Sequence, residues 1–483
     1  MKNINKKEQV FLKVLISVIL LICLGSLSVF GFFLLKLDII PGIYLGITGI
    51  ITILILLSVF LITIFKKSLI IKVMGMVIIG LFSAVFMYST TYLNTTYKFL
   101  AGMHVKEYDT ITFNMVVLNS SGVGSIKDLE GKTIAYLDDE YYSNIKELLN
   151  QQIDFLEVKC GEFGELMDLL QESKVDAIVL EESYYSLYKE EIKDFENTVK
   201  VIYDFEILVK SHIEEEEIIN INEEPFIFYI SGIDQWGNVN TTRGRSDVNQ
   251  LVVVNPKTNK ILIVNTPRDY YVKLHGTTGL KDKLTHAGIY GIDKSIATLE
   301  DLYEIDIDYY LRVNFNSLIK VVDAIGGIDI YSDKAFIPWT NKKVSVKEGW
   351  NHFNGAEALA YSRERYTYKT GDRHRGENQQ QVITAIIDKA SSSKVLISKY
   401  NSILESLDGS FQTDMDMKMI TSFIRYQIKE MPSWEILSIS VTGSDKKNYT
   451  YSMGNKHLLY VMEPNINSIN IAKNKINEVL DES

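Results

Sequence analysis

The sequence predicts an α/β protein in three parts: a three-helix membrane anchor over residues 1–97, a small α/β accessory domain over 105–210, and a larger α/β domain over 225–480. Three observations predict it. Apolar residues crowd into the first hundred of 483 positions. Short β-branched runs then alternate with stretches of helical spacing, the pattern of a sheet covered by helices. The same alternation resumes after an acidic linker at 211–224, marked by "HIEEEEIININEEP" from His212 to Pro225, whose carboxylates suit a solvated connector better than a cation site.

The anchor is read from three apolar runs, Val14–Leu35, Ile39–Phe65 and Val73–Leu93. Each reaches the ~20 residues needed to cross a hydrocarbon core of about 30 Å. Buried helices of a soluble core are the alternative, but the rest of the chain could not cover three such runs in succession. The first run is too long, and too closely followed by two more, for a cleaved leader. Lys2, Lys6, Lys7 and Lys13 precede the first run, and Lys66, Lys67 and Lys72 separate the second from the third. The turn between the first two carries only Lys36, offset by Asp38. The positive-inside rule then places the N-terminus in the cytoplasm and everything after Leu93 outside, making this a multi-pass cell-membrane protein.

Composition excludes several function classes. Cys23 lies in the first span and Cys160 stands alone outside it, so neither a disulfide between them nor a cysteine-ligated zinc site is expected. A net charge of −11, with no basic stripe carrying interleaved aromatics, argues against nucleic acid as a partner.

In the accessory region, Phe113–Asn119, Thr133–Leu137, Ala177–Leu180 and Lys200–Val209 read as strands, and Tyr142–Gln151 and Phe163–Ser173 as helices. "SIKDLEGKTIAYLDD" followed by "LMDLLQESKVDAIVLEES" resembles one lobe of a periplasmic solute-binding protein. Only half of that two-lobed clam is represented, which leaves ligand binding and a docking or spacer role both open. In the larger domain, "PFIFYISG", "NQLVVVNP" and "KILIVNTP" read as neighbouring strands of one sheet, the last two joined by a turn at "NPKTNK". Lys294–Tyr303, Asn316–Ala324 and Gln379–Ala390 have helical character, with a strand at Tyr309–Val313.

The chemistry-bearing residues sit where these strands begin and end. The first strand ends in "SGIDQWG", the second is entered through "TTRGRSDVN", and the third leaves through "NTPRDYYV". Asp234, Arg245, Asp247, Arg268 and Asp269 therefore fall at strand entrances or exits, where open α/β sheets gather ligands. Later, "YSRERYTYKTGDRHRGENQQQ" concentrates Arg363, Arg365, Arg373 and Arg375 in an otherwise acidic chain. A guanidinium fork matches phosphate oxygens bidentately. Arg363 and Arg365 would share a face of an extended segment. Arg375 and Gln379, four apart, would share a face of a helix. Interspersed carboxylates without a histidine cluster favour Mg²⁺, which takes one or two carboxylates plus substrate phosphates.

"RSDVNQLVVVNP", "LIVNTPRDYYV", "KDKLTHAGIYG", "AIGGIDI" and "ALAYSRERY…GDRHRGENQQQVITAI", in this order and spacing, resemble the LytR–CpsA–Psr family. Three spans plus an added domain are most similar in layout to its CpsA-like capsule branch. The resemblance implies a central mixed sheet flanked by helices, with an arginine-lined pocket for a polyprenyl-linked pyrophosphate and an apolar tunnel for the lipid tail. It implies Asp234 and Asp247 as Mg²⁺ ligands, and Arg245, Arg268, Arg363, Arg365, Arg375 and Gln379 as pyrophosphate contacts. Asp247, Arg268, Asp269, Arg363 and Arg365 would then carry catalysis, with Asp247 or Asp269 as base. Asn378 stands where some members have a further arginine, and Arg373 falls at a variable position.

Bland readings stand beside these. Asp372 either caps a helix beginning near Arg375 or orients an arginine. His286 reads as a structural hydrogen-bonding residue, and Gly326 and Gly327 as a turn into a strand. Trp236, Trp339 and Trp350 stack on sugars or serve core and surface packing. The expected function is an extracytoplasmic phosphotransferase that moves a glycopolymer from an undecaprenyl-pyrophosphate carrier to peptidoglycan through a phosphodiester. A non-catalytic polyprenyl-phosphate-binding sensor of envelope assembly is the alternative.

Overall fold

Hydropathy organises the N-terminal part of the computed structural model, which describes residues 6–38, 40, 42–66, 68–103, 108–161, 163–210, 221, 223–233, 243–369, 371–391, 409–430 and 432–482. Helices α1 (Lys6–Leu37), α2 (Gly42–Phe65) and α3 (Leu69–Met103) are each long and apolar enough to cross a membrane. They anchor the chain. α1 and α3 extend beyond their expected apolar runs at both ends, because flanking residues continue the helical hydrogen bonding, whereas α2 begins at Gly42, inside its expected run, and ends with it at Phe65. Ile39, the expected start of the second span, lies outside the described residues. Cys23, Leu56, Ile79 and Phe86 bury against one another, and a Cβ on Gly75 would meet Thr63 Oγ1 at 1.9 Å, so α2 and α3 approach at a small residue.

The described residues of Met415–Ser433 cluster with these membrane helices and not with the sheet domain, although they fall inside the expected 225–480 span. Their helix, Met417–Glu430, is amphipathic, and its Arg425 pairs with Asp38 at the end of α1 (2.9 Å). A separation of nearly four hundred residues hides such a contact from sequence pattern.

Most described residues from Val105 onward form the other unit, which contains the two large sheets. The first is made of β1 (Tyr108–Leu118), β2 (Thr133–Leu137), β3 (Leu156–Cys160), β4 (Ala177–Glu181) and β5 (Val199–Lys210), in the order β3-β2-β4-β1-β5. β2 runs parallel to β3 and β4, whereas β1 is antiparallel to β4 and β5. Helices α4 (Tyr142–Asn150), α5 (Phe163–Gln171), α6 (Glu182–Glu191) and the single turn α7 (Phe195–Thr198) complete it. Three of these elements, β3, α6 and the short α7, have no counterpart among the expected ones. β3 exposes three of its five residues and so lacks the apolar run that signals a strand.

The second sheet has six strands in the order β14-β11-β6-β7-β8-β15. In chain order these are β6 (Phe226–Ile233), β7 (Ser246–Asn255) and β8 (Lys260–Asn265), then a short pair β9 (Tyr271–Val272) and β10 (Asp282–Lys283). There follow α8 (Leu284–Ala287), α9 (Ile292–Tyr303), β11 (Tyr309–Asn314), α10 (Phe315–Ala324), β12 (Ile328–Ser332), β13 (Gly349–Phe353), α11 (Gly355–Ser362), α12 (Asp372–Ser391), β14 (Gln412–Thr413) and β15 (Glu435–Ser440). A hairpin, Gly443–Thr450 with Gly454–Pro464, and a final helix, Ile466–Asp481, close the chain. The sheet is mixed: β11 and β15 lie parallel to β6 and β8, while β7 is antiparallel to both neighbours.

Both faces are covered, and strand alternation sorts the side chains between them. Ile227, Tyr229, Leu251, Val253, Leu262 and Val264 pack with α9 and the final helix. Phe228, Ile230, Val252, Leu311 and Val313 point the other way, toward α10, α11 and α12. Gly326 and Gly327 hold φ of 85° and 88° at the turn into β12, a conformation that L side chains rarely adopt.

Candidate functional site

Strand directions decide where the polar residues meet. β6, β8, β11 and β15 end at the same sheet edge at which the antiparallel β7 begins. Arg245 and Asp247 at the start of β7 therefore face Arg268 and Asp269 after the end of β8, with α8 packed beside them.

Arg268 Nη1 donates to Asp247 Oδ2 at 2.5 Å, and the Thr285 hydroxyl of α8 donates to Asp247 Oδ1 at 2.9 Å. Arg268 Nε lies 3.7 Å from Asp269 Oδ1, which is also 3.5 Å from Lys283 Nζ. Arg268 and Asp247 are only 8% and 12% exposed, so the charges interact with little water between them. Burial alone would push the Asp247 carboxyl up; Arg268, Arg245 and Arg375 outweigh it and, with Thr285, hold it well below the usual carboxylate range. A carboxyl held so low is a weak Brønsted base and a strong anchor for cations.

That depression has a defined pH signature. The stability Asp247 contributes is fully present above its unfolded value, near 3.9, and is lost as pH falls toward its folded value. In chemical denaturation, the stability gap between the parent and Asp247→Asn is expected to be widest at neutral pH. It should narrow steadily below about pH 4. A gap that does not change with pH would show that the charge of Asp247 is not what stabilises the cluster.

A second feature adjoins this one. Under the sheet lies a cavity of about 310 Å³ lined by Phe228, Ile230, Val252, Leu311, Val313, Leu318, Val321, Val382, Ile383, Ile386 and Ile387, among others. Nearly all of it is hydrocarbon; Arg363 and Gln379 are among its few long polar side chains. The Arg363 guanidinium carbon sits 4.1 Å from the Phe315 ring centroid, as in a cation–π contact. This size and lining suit a small apolar ligand or one end of a larger one.

The sequence-derived residues are placed as follows. Arg245, Asp247, Arg268 and Asp269 come together, Arg375 acts electrostatically on Asp247, and Arg363 and Gln379 lie at the cavity. Arg375 and Gln379 share the face of α12 expected from their spacing. Arg365 takes a different course: it is exposed and lies over Tyr366, 5.1 Å from its ring centroid. The segment is not extended. Arg363 ends α11 in helical geometry, and buried Glu364 accepts backbone N–H groups of Trp339 (2.6 Å), Tyr366 (2.7 Å) and Thr367 (2.9 Å). This turn sends Arg363 and Arg365 in different directions. Asp234 and Trp236 lie outside the described residues.

Other side chains have structural tasks. α12 starts at Asp372, not near Arg375, so Asp372 belongs to its first turn. Asn378 is fully buried and donates to the Tyr361 carbonyl at 3.1 Å. Gln380 donates to the carbonyls of Ile263 (3.2 Å) and Ile439 (2.8 Å), pinning α12 to β8 and β15. His286 is buried against Asp282 at 2.6 Å, and Arg373 bonds the Gly443 carbonyl. Trp339 and Trp350 are exposed.

Sequence reasoning missed Lys283, Thr285, Glu190 and Glu191. Lys283 and Thr285 stand inside "KDKLTHAGIYG", and membership of that family-like motif was the signal available; their contacts with Asp269 and Asp247 appear only in the fold. Arg245 pairs closely with Glu190, and Lys283 Nζ donates to Glu191 Oε1 at 2.7 Å. No sequence pattern marks those two carboxylates. Among the described residues, no group of three or more His, Cys, Asp or Glu converges as a metal cage.

Comparison with known proteins adds the relationship. A sequence profile described as NMT1/THI5 like matches residues 101–197. A polyisoprenyl-teichoic acid–peptidoglycan teichoic acid transferase, TagU of Bacillus cereus, is 35% identical over 201 residues, 41% of this chain and 64% of its own length. TagV of Bacillus subtilis, of the same description, is 32% identical over 274 residues, 55% of this chain and 67% of its own. Biofilm regulatory protein A of Streptococcus mutans is 35% identical over 214 residues, 41% of this chain and 52% of its own. The crystal structure of B. subtilis TagV is 30% identical with a TM-score of 0.45, covering 54% of this chain and 99% of that one. The chain thus spans about two thirds or less of the length of these curated relatives. The LytR–CpsA–Psr profile itself matches residues 192–467, more than half of the chain, and the protein belongs to the LytR–CpsA–Psr family.

Proposed function

We propose that the protein is an extracytoplasmic phosphotransferase that moves a glycopolymer from a polyprenyl-diphosphate carrier onto peptidoglycan. One observation carries this reading: a buried arginine–carboxylate cluster and an almost wholly apolar cavity are built from the same sheet and the same helix α12. A lipid diphosphate has the matching chemistry, an anionic head and a hydrocarbon tail. The relatives named as teichoic acid transferases support a glycan donor of this class.

In the proposed reaction, a peptidoglycan hydroxyl oxygen attacks the sugar-proximal phosphorus. The bond from that phosphorus to the bridging oxygen breaks, polyprenyl phosphate leaves, and a phosphodiester joins glycan to wall. The chain's own part is positioning and charge stabilisation. Arg245, Arg268 and Arg375 neutralise the diphosphate, and Arg363 and Gln379 sit where head passes into tail. Asp247, held ionised by its neighbours, keeps Arg268 in place. Asp269, beside Arg268 and Lys283, is the carboxylate assigned to take the hydroxyl proton.

Mg²⁺ fits these residues, since it needs only one or two carboxylates with phosphate oxygens. Asp247 would supply one ligand; Asp234, the expected second, lies outside the described residues. When bound, the ion would add positive charge against the leaving phosphate.

The outward orientation is supported by the lysine distribution and by Arg425, which pairs with Asp38 between the first two spans and so lies on that side. The test is turnover. Full-length protein incubated with a polyprenyl-diphosphate glycan and peptidoglycan fragments should release polyprenyl phosphate and form a glycan-phosphate adduct. Both should require Mg²⁺ and disappear in Asp247→Ala and Arg363→Ala. Donor binding without release would point to the sensor instead.

A further inference from the structure

The accessory domain reaches the arginine cluster, and it does so through a packed interface. Ile289, Met453 and Leu459 of the larger domain share a core with Leu166, Leu170 and Leu187 of the accessory domain. The Tyr184 ring of α6 stands edge-on to Tyr290, centroids 5.6 Å apart. These contacts fix the last turn of α6 beside the start of β7. Its two terminal carboxylates then divide the nearby cations. Glu191 pairs with Lys283, both largely buried at 16% and 5% exposure. Glu190 pairs with Arg245 and lies 3.8 Å from Arg268 Nη2.

Exposure separates the two pairs. Arg245 and Arg268 are 10% and 8% exposed, but Glu190 is 49% exposed. Glu190 therefore meets the guanidinium groups from the solvent side, the side from which an anion would arrive. Its carboxylate offers them the same bidentate oxygen geometry as a phosphate. Being half in water, it gives up little on leaving, since ion pairs of this exposure contribute only modestly. The buried Glu191–Lys283 pair has no such exchange open to it and would keep α6 docked.

We propose that the end of α6 is an anionic gate: Glu190 occupies Arg245 and Arg268 until the donor diphosphate displaces it, so the accessory domain sets donor affinity. This rests on the diphosphate reading of the arginine cluster. The accessory domain thereby acts on the site through one side chain and needs no ligand of its own.

The test uses the full-length chain in detergent micelles and inorganic pyrophosphate with Mg²⁺, followed by titration calorimetry. Glu190→Gln keeps the shape and removes the charge at a half-exposed position, so folding is not at stake. It should bind pyrophosphate about fivefold more tightly than the parent. Arg268→Ala should lose binding. Equal or weaker binding by Glu190→Gln, with binding by the parent that Arg268→Ala abolishes, would overturn the gate and leave the diphosphate site standing. Absence of binding in both the parent and Glu190→Gln, or binding unaffected by Arg268→Ala, would overturn the site and the gate together.

Discussion

Arg268→Ala is expected to lower transfer by at least about 100-fold and to weaken the fold by about 3 kcal/mol. Both effects come from one guanidinium. Arg268 is the direct partner of Asp247 and lies beside Asp269 and Glu190. Truncating it removes a fixed cation aimed at the diphosphate, and interactions of that kind act mainly on the transition state. It also leaves a nearly buried carboxylate without its main counter-charge. Arg245 and Arg375 still act on Asp247, which keeps the stability loss at the lower end of what breaking a buried pair costs. Arg268→Lys should recover much of the stability and little of the transfer, because an ammonium keeps the charge but not the planar fork. Denaturant unfolding and the polyprenyl-phosphate release assay separate the two quantities. Full transfer by Arg268→Ala would remove the arginine cluster from the mechanism.

Val313→Phe is expected to do the opposite: spare the head site and block the tail. Val313 lies on β11 with its side chain in the apolar cavity. A phenyl ring there takes up space that a lipid tail would fill. Losing contact with about three methylenes, at ~0.8 kcal/mol each, lowers affinity for a long-chain polyprenyl diphosphate by roughly 30- to 100-fold. Inorganic pyrophosphate, with no tail, should bind the variant and the parent alike. Equal losses for both probes would mean that the substitution had disturbed the arginine cluster. No loss for either would mean that the tail lies elsewhere.

How much of this was legible in the sequence depends on the range of the interaction. Hydropathy is additive along the chain, so the three membrane helices were readable, with only their ends misjudged. Strand runs such as "KILIVNTP" were readable because alternation is local, and Arg268 and Asp269 came with them because they follow directly. Arg365 was misplaced by local geometry. The spacing of Arg363 and Arg365 puts them on one face only if the backbone is extended, and Glu364 instead folds it into a turn. The early start of α12 was hidden because its first turns, "DRHRGEN", are polar and contain a glycine, with no apolar period to mark a helix. Glu190 and Glu191 were invisible for another reason. On α6 they look like any solvated pair, and it is the packing of the accessory domain on the larger one, Tyr184 on Tyr290 among its contacts, that brings Glu190 to the arginines and Glu191 to Lys283.

One helix ties the two halves of the site together. α12 presents Arg375 and Gln379 near its start and Val382, Ile383, Ile386 and Ile387 further along, and Gln380 clamps it to the sheet between them. From Arg375 to Ile387 the rise is about 18 Å. On the proposed lipid-diphosphate reading, α12 is therefore a ruler, laying the head of an amphiphile and the first part of its tail against fixed marks on a single rod. Because each residue also turns the rod by about 100°, inserting one residue after Gln380 would leave the head marks in place and swing the tail marks out of the cavity. Drift in the head group and drift in the lipid cannot be accommodated separately along this helix.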